Sequence, residues 1–236
     1  MEREKTIFYA PDILSTLELP QEEAQHCIRV LRMNQGDEIL IADGKGIFYD
    51  AIIANAHPKH CNVEIVGKTE APNHWNFKLH IAFAPTKSID RTEWFLEKAT
   101  EIGIDHLTPL LTAHSERKQV KIDRLEKILV SAMKQSQKAT LPQLDDLTNF
   151  LEFIKKPFEG QKYIAHCYNT EKKSLKEIYS AKENVLILIG PEGDFSEEEV
   201  NLAIKNGYSP ISLGESRLRT ETAALVACHS IHALNW

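Results

Sequence analysis

Residues 185–200 read VLILIGPEGDFSEEEV, and residues 211–226 read ISLGESRLRTETAALV. In each region a short apolar run of buried-strand type, Val185 to Ile189 and Pro210 to Leu213, ends at a glycine, and a polar loop then leads into a helix. The pattern predicts two strand-loop-helix units side by side, with both loops on one edge of a parallel sheet. Gly190, Gly193 and Gly214 let the backbone turn sharply and let a ligand approach bare main chain. Ser196 and Glu199 form an S-x-x-E capping box, so a helix is expected to start near Ser196. It carries Val200, Ala203 and Ile204 on one face and stops at Gly207. In the second unit Glu215 to Arg219 form the loop, and Thr220 is the expected N-cap of a last helix. Arg217, Arg219, Thr220, Glu221 and Thr222 therefore crowd where loop meets helix, more polar chemistry than a mere connector carries. One strand-glycine-loop-helix unit is ordinary α/β grammar; the pairing of two marks a site.

The 236 residues are 42% hydrophobic, enough to bury a sizeable core in one large or two modest domains. No apolar run approaches the roughly 18 residues of a membrane span, and the N-terminus MEREKTIF lacks the apolar core of a signal peptide. A cytoplasmic protein is expected. Cys27, Cys61, Cys167 and Cys228 are scattered without a C-x-x-C, which fits reduced thiols. The cluster His57-Pro-Lys-His60-Cys61 is crowded and lacks a second ligand pair, so it reads as a solvated turn, and no metal is expected. A net charge of −6 argues against a nonspecific nucleic-acid coat. Residues 114–138, however, hold seven basic and three acidic side chains, a candidate phosphate-facing surface or a solvated helix with pairs such as Asp123 and Lys127.

Upstream, residues 1–70 look β-rich. Thr6 to Tyr9, Glu38 to Ala42, Gly46 to Ala54 and Cys61 to Gly67 are short strand-like runs separated by turn residues, a spacing that suggests a small barrel. Pro20 to Arg32 interrupts them with a helical pattern in which Arg29 and Arg32, three apart, share a face, as either a phosphate-binding pair or plain surface arginines. A Pro- and Asn-bearing link, residues 71–76, separates this from a second domain, residues 77–236. There Phe77 to Ala84 is a strand, and Asp90 to Ile102 a helix with Trp94, Phe95 and Ala99 inward. Leu107 to Leu111 is a strand, Ile122 to Gln137 a helix, and Tyr163 to Cys167 a strand. Such alternation means a helix-covered parallel sheet. Lys87 and Arg91 follow a strand's end, where open α/β sheets place ligands, and are candidate ligand contacts. The last helix, Thr222 to Leu234, is apolar nearly all round and must be buried, in its own subunit or against a second copy.

The motifs LIGPEGDF (188–195) and SLGESRLRTETA (212–223) resemble those of the SPOUT class of knotted RNA methyltransferases, and within it the RsmE family, which methylates N3 of a uridine in 16S ribosomal RNA. The family's hallmarks run LIGPEGGF and SLGxxxLRTETA; here Asp194 replaces a glycine, and Glu215-Ser216-Arg217 a more apolar triplet. The resemblance covers nearly the whole chain. It includes an HxxxVLRxxxGD signature carried by His26, Val30, Leu31, Arg32, Gly36 and Asp37, a KATELG-like run at Lys98 to Gly103, and a match from Gln135 and Ser136 to Leu141 and Pro142.

That resemblance implies an α/β fold: an N-terminal PUA-like RNA-binding β-barrel (1–70) and a C-terminal SPOUT domain (77–236) with a parallel sheet and a deep trefoil knot. It implies a homodimer, S-adenosylmethionine as cofactor, and 16S rRNA or the small ribosomal subunit as partner. The cofactor would be held by Leu188, Ile189, Gly190, Pro191, Glu192, Gly193, Ser212, Leu213, Gly214, Leu218, Thr220, Thr222 and Ala223. RNA contacts would fall on Arg29, Arg32, Lys87, Arg91, Lys98 and Gln135, although Lys98 also fits a surface pair with Glu101. No G-x-x-x-x-G-K-[ST] is present and no G-x-G-x-x-G follows the first strand, so phosphate-cradling nucleotide sites lose support. A donor without phosphate suits loops rich in exposed backbone. Uracil N3 must lose a proton; Arg219 is placed to stabilise the resulting charge, and Glu221 to accept the proton or, alternatively, to pair Arg219 or cap the helix. A related enzyme acting on a different RNA and a non-catalytic RNA-binding assembly factor are the competing readings.

Overall fold

A computed structural model of the chain describes residues 5–72 and 74–236. Residues 1–4 of the expected barrel segment and Asn73 of the expected link lie outside the described residues. The chain forms two compact units, Met1–His74 with Val130–Leu141, and Trp75–Leu129 with Pro142–Trp236.

The first unit contains β1 (Ile7–Tyr9), α1 (Ile13–Thr16), α2 (Gln21–Gln25), β2 (Glu38–Ala42), β3 (Ile47–Asn55) and β4 (Asn62–Glu70). Its four strands pair in sequence order, β1 parallel to β2 and the rest antiparallel. Phe8, Ile13, Cys27, Ile39, Ile41 and Ile53 fill its core. The expected helix from Pro20 to Arg32 is not continuous α-helix. After Gln25 the chain widens into a π-helical turn, His26–Val30, and Arg32 stands beyond it at φ +56°. The Leu31 amide donates to the His26 carbonyl at 3.0 Å, and the Met33 amide to Cys27 at 3.1 Å. Three-residue spacing therefore does not put Arg29 and Arg32 on one α-helical face, because the wider turn and the left-handed residue change the period.

The second unit contains β5 (Leu79–Phe83), α3 (Ile89–Ile102), β6 (His106–Leu111), α4 (Ile122–Gln135), β7 (Gln143–Leu144), β8 (Thr148–Asn149), α5 (Phe150–Phe153), β9 (Gln161–Ala165), β10 (Lys173–Ser174), α6 (Leu175–Ile178), β11 (Val185–Ile189), α7 (Glu197–Lys205), β12 (Ser209–Ser212) and α8 (Thr220–Ala233). Its sheet runs β10-β12-β9-β11-β5-β6-β7, with β8 also on β6, and every pairing is parallel. β11 is central and all five residues are buried, as its unbroken aliphatic run requires. Helix α4 starts in this unit, whereas its last turns and the segment to Leu141 belong to the first, where Met133 and Ala139 join Ala42 in a small core.

Two helix faces depart from expectation. Trp94 is 43% exposed rather than inward, because the buried stripe of α3 is Thr92, Phe95, Leu96 and Ala99, at i, i+3, i+4 and i+7. Helix α8 buries Ala224, Ala227, Cys228 and Ile231, but Leu225 and Val226 stay half-buried and His229 exposed. One subunit therefore covers only one face of an all-round apolar helix. Among the described residues no helix is long and apolar enough to cross a membrane.

Candidate active site

Strands β11 and β12 are not neighbours as the sequence predicts: β9 lies between them. Ile189 of β11 and Ile211 of β12 are both in register with Ala165 of β9. Three loops therefore leave the carboxyl edge at one level, and the one after β9 rises between the two glycine loops. Open α/β sheets place ligands at this edge.

The three loops wall a cavity of about 740 Å³, within the usual range of about 300–1,000 Å³ for small-molecule sites. Of the expected cofactor residues, Ile189, Gly190, Pro191, Glu192, Gly193, Ser212, Leu213, Gly214, Leu218, Thr220 and Ala223 line it, as does Arg219. Leu188 does not, since its side chain points into the core with Phe150 and Phe195. Thr222 is not on the wall either. Glu221 is buried beside α3, its Oε1 3.8 Å from Arg91 Nε and its Oε2 without a hydrogen-bond partner. The N-cap of α8 is Arg219 rather than Thr220, and no side chain caps it.

The loops are held mainly by side-chain bonds to main chain. Asp194 accepts from the Cys167 amide at 2.6 Å through Oδ2 and from the Phe195 amide at 2.8 Å through Oδ1. Lys172 Nζ donates to the carbonyls of His166 at 2.8 Å and Tyr168 at 2.7 Å. Glu192 Oε1 accepts from the Lys87 amide at 2.9 Å, and Tyr168 donates its hydroxyl to the Phe195 carbonyl at 2.8 Å. Glycine has a different job at each hinge. Gly214 stands at φ +121°, where other residues strain. Gly190 is needed for room, because a Cβ there would lie 3.1 Å from the Phe195 ring and amide.

A family pattern described as an RNA methyltransferase domain matches residues 73–232, and one described as an RNA methyltransferase PUA domain matches residues 19–66. Ribosomal RNA small subunit methyltransferase E of Rickettsia conorii is 30% identical over 225 residues, spanning 93% of this chain and 91% of its own. The chain belongs to the ribosomal RNA small subunit methyltransferase E family. The crystal structure of a probable rRNA-methyltransferase from Porphyromonas gingivalis is 45% identical and superposes with a TM-score of 0.92 over 98% of both chains. That of ribosomal RNA small subunit methyltransferase E from Neisseria gonorrhoeae, bound to S-adenosyl methionine, is 27% identical with a TM-score of 0.87, again over 98% of each.

The expected RNA contacts are divided between the units of this family member. Arg29, Arg32 and Gln135 are exposed in the first. In the second, three basic residues meet carboxylates. Lys98 bonds Glu97 at 2.6 Å and Glu101 at 2.8 Å, the latter the i,i+3 surface pair; Lys87 meets Glu116 at 2.7 Å, and Arg91 faces Glu221. Sequence reasoning missed the loop after β9, where His166, Cys167, Tyr168 and Lys172 line the cavity; Glu215, Ser216 and Arg217 of the second loop and Asp194 of the first, not among the expected cofactor residues, do so too. Position immediately after a parallel strand was the available signal.

A second polar cluster sits at the opposite, amino edge, where β5 and β6 begin. His80 and His106 stack with ring centroids 3.8 Å apart. His80 Nε2 lies 2.8 Å from Thr108 Oγ1, Thr108 donates its proton to Asp145, and His106 Nε2 is 2.8 Å from the same carboxylate. Because that hydroxyl proton goes to Asp145, His80 is the donor. Burial, reinforced by His106, pushes its imidazole down to about 3. Among the described residues, His80, His106 and Asp145 are the group whose donor atoms lie close enough to suggest a metal; His80 and Asp145 are already engaged through Thr108, and His106 faces the same carboxylate.

Proposed function

We infer that the chain transfers a methyl group from S-adenosylmethionine to N3 of a uridine in 16S ribosomal RNA. The observation that carries the inference is the single cavity formed by three loops at one sheet edge, in a chain that superposes along nearly its full length on a cofactor-bound member of its family. The cavity suits the cofactor in character as well as size: Gly190, Gly193 and Gly214 bare the main chain on two of its walls, and cations stand at Arg217, Arg219 and Lys172. When bound there, the cofactor supplies an electrophilic sulfonium methyl.

The chain's own residues then have two tasks. The first is alignment, which can contribute about 7–11 kcal/mol when reacting atoms are held in near-attack geometry. Pre-tied loops suit this, because Asp194, Lys172 and Glu192 fix the walls through main-chain bonds. The second is removal of the N3 proton. Arg219 on the wall is proposed to stabilise charge developing on the uracil oxygens, and Glu221, with Oε2 unbonded, to accept the proton. N3 lies on the Watson–Crick edge, so the uridine must be unpaired or flipped. We assign residues 1–70 to an RNA-holding, barrel-like PUA domain with Arg29 and Arg32, and residues 77–236 to a knotted methyltransferase domain with Lys87, Arg91 and Lys98. A homodimer in the cytoplasm completes the reading; the half-covered apolar face of α8 supports a second copy.

The test is methylation of 16S rRNA, free or in small subunits, from cells lacking this activity, followed by mass mapping of nucleosides. The expected product is 3-methyluridine. Binding of S-adenosylhomocysteine without any methyl transfer to rRNA would sink the enzyme assignment.

A further inference from the structure

We propose that His166 contacts the cofactor, its neutral imidazole hydrogen-bonding the uncharged nucleoside half of S-adenosylmethionine. The proposal rests on the cofactor reading above. His166 is 8% exposed, yet neither Nδ1 nor Nε2 has a hydrogen-bond partner. Folded proteins seldom leave a buried donor and acceptor both unmet, because each forfeits its hydration without compensation. The residue follows directly after Ala165, the register point shared by β11 and β12, and so stands on the cavity wall between the two glycine loops. Its main chain is already tied down, since Lys172 Nζ holds its carbonyl at 2.8 Å. The ring packs on Tyr168 with centroids 5.7 Å apart, which leaves its two nitrogens over.

Charge assigns the ring to one half of the ligand. Burial, and next to it Lys172, hold the imidazole below its ordinary range, so at neutral pH it offers one N–H and one bare nitrogen. That pair matches hydroxyls and ring nitrogens of a nucleoside. The amino and carboxylate groups at the other end call for fixed charges, and Arg217 and Arg219 supply cations on the loop after β12.

Calorimetry on the full chain tests this with two probes, S-adenosylhomocysteine and 5′-methylthioadenosine, the second lacking the amino-acid half. His166→Phe should weaken both by roughly three- to tenfold, the loss of one net hydrogen bond, and His166→Asn should recover part of it. Ligand-free His166→Phe should unfold no earlier than the parent, because it removes polar atoms that had no partner. Unchanged affinity for both probes would mean the ring meets only water and would overturn the proposal. A loss confined to S-adenosylhomocysteine would move the contact to the amino-acid half and overturn it equally, as would a lower melting temperature without ligand, the mark of a purely structural ring. Failure of the parent chain to bind S-adenosylhomocysteine at all would overturn the cofactor reading itself.

Discussion

Asp194 stands at φ +63°, a left-handed angle that Asp tolerates better than most residues, and it occupies the position where the family motif has glycine. Glycine would adopt that angle freely; what it lacks is the carboxylate that receives the Cys167 and Phe195 amides. Relief of strain in Asp194→Gly is worth up to about 1 kcal/mol, whereas one hydrogen bond to a charged acceptor contributes about 1.5–3 kcal/mol. The bonds win, though partial exposure reduces them. Asp194→Gly should destabilise the chain by about 1–2 kcal/mol in denaturant unfolding and weaken S-adenosylhomocysteine binding, because the loop after β9 is released. Equal stability would show that the angle matters and the carboxylate does not. Glu221 makes a different prediction. If it accepts the uridine proton, Glu221→Gln should slow turnover by roughly 10²–10⁴-fold with little change in S-adenosylhomocysteine affinity. A large affinity loss with normal turnover would leave Glu221 as a partner of Arg91 alone.

Helix α7 shows which features of an element can be read locally. Ser196 Oγ accepts from the Glu199 amide at 3.2 Å and Glu199 Oε2 from the Ser196 amide at 2.8 Å, the reciprocal cap that S-x-x-E announces. The same carboxylate accepts from the Ala113 amide at 2.8 Å through Oε1, a long-range bond that no local motif encodes. Ser196→Ala should therefore lower stability by about 1 kcal/mol, and Glu199→Ala by more, about 1–3 kcal/mol, because a buried carboxylate serving two amides is lost. Thermal unfolding of the two variants checks the order; a larger loss for Ser196→Ala would contradict it. Strand placement was less legible for the same reason. The boundaries of β2 and β11 follow from composition, but the insertion of β9 between β11 and β12 depends on pairing between distant segments. That is why His166 to Tyr168 escaped notice while both glycine loops were found. The short elements α5, β10 and α6 span too few residues for periodicity to register.

For the molecule as a whole, alternating strand and helix patterns were enough to anticipate a parallel sheet, and turn spacing to anticipate a β-rich N-terminal region. The packing of Val130–Leu141 with the first unit was invisible, because one unbroken apolar stripe serves both halves of α4. The amino-edge cluster was invisible too, since His80, His106 and Asp145 are far apart in sequence, yet it bears on how the folded state responds to acid. His80 has an ordinary value near 6.5 when unfolded and about 3 when folded. Above the unfolded value both states leave the ring neutral, and its contribution to stability is full. As pH falls below about 6.5 the unfolded chain takes up a proton that the folded chain refuses, so unfolding becomes easier by about 1.4 kcal/mol per pH unit until the folded value is reached. Asp145 adds to this at lower pH. Burial alone would raise its carboxyl, but bonds from Thr108 and His106 outweigh that and hold it below the usual range, so its contribution is lost as pH falls through that depressed value. Between pH 7.5 and pH 5, His80 alone should account for about 1–2 kcal/mol of lost stability. His80→Phe abolishes that titration while keeping a ring to stack on His106. The variant's stability at pH 7.5 is expected to drop, since Thr108 loses its donor, but the difference between pH 7.5 and pH 5 should shrink by about 1–2 kcal/mol. Urea unfolding at the two pH values measures both quantities, and an unchanged pH difference would mean that other groups carry the acid sensitivity.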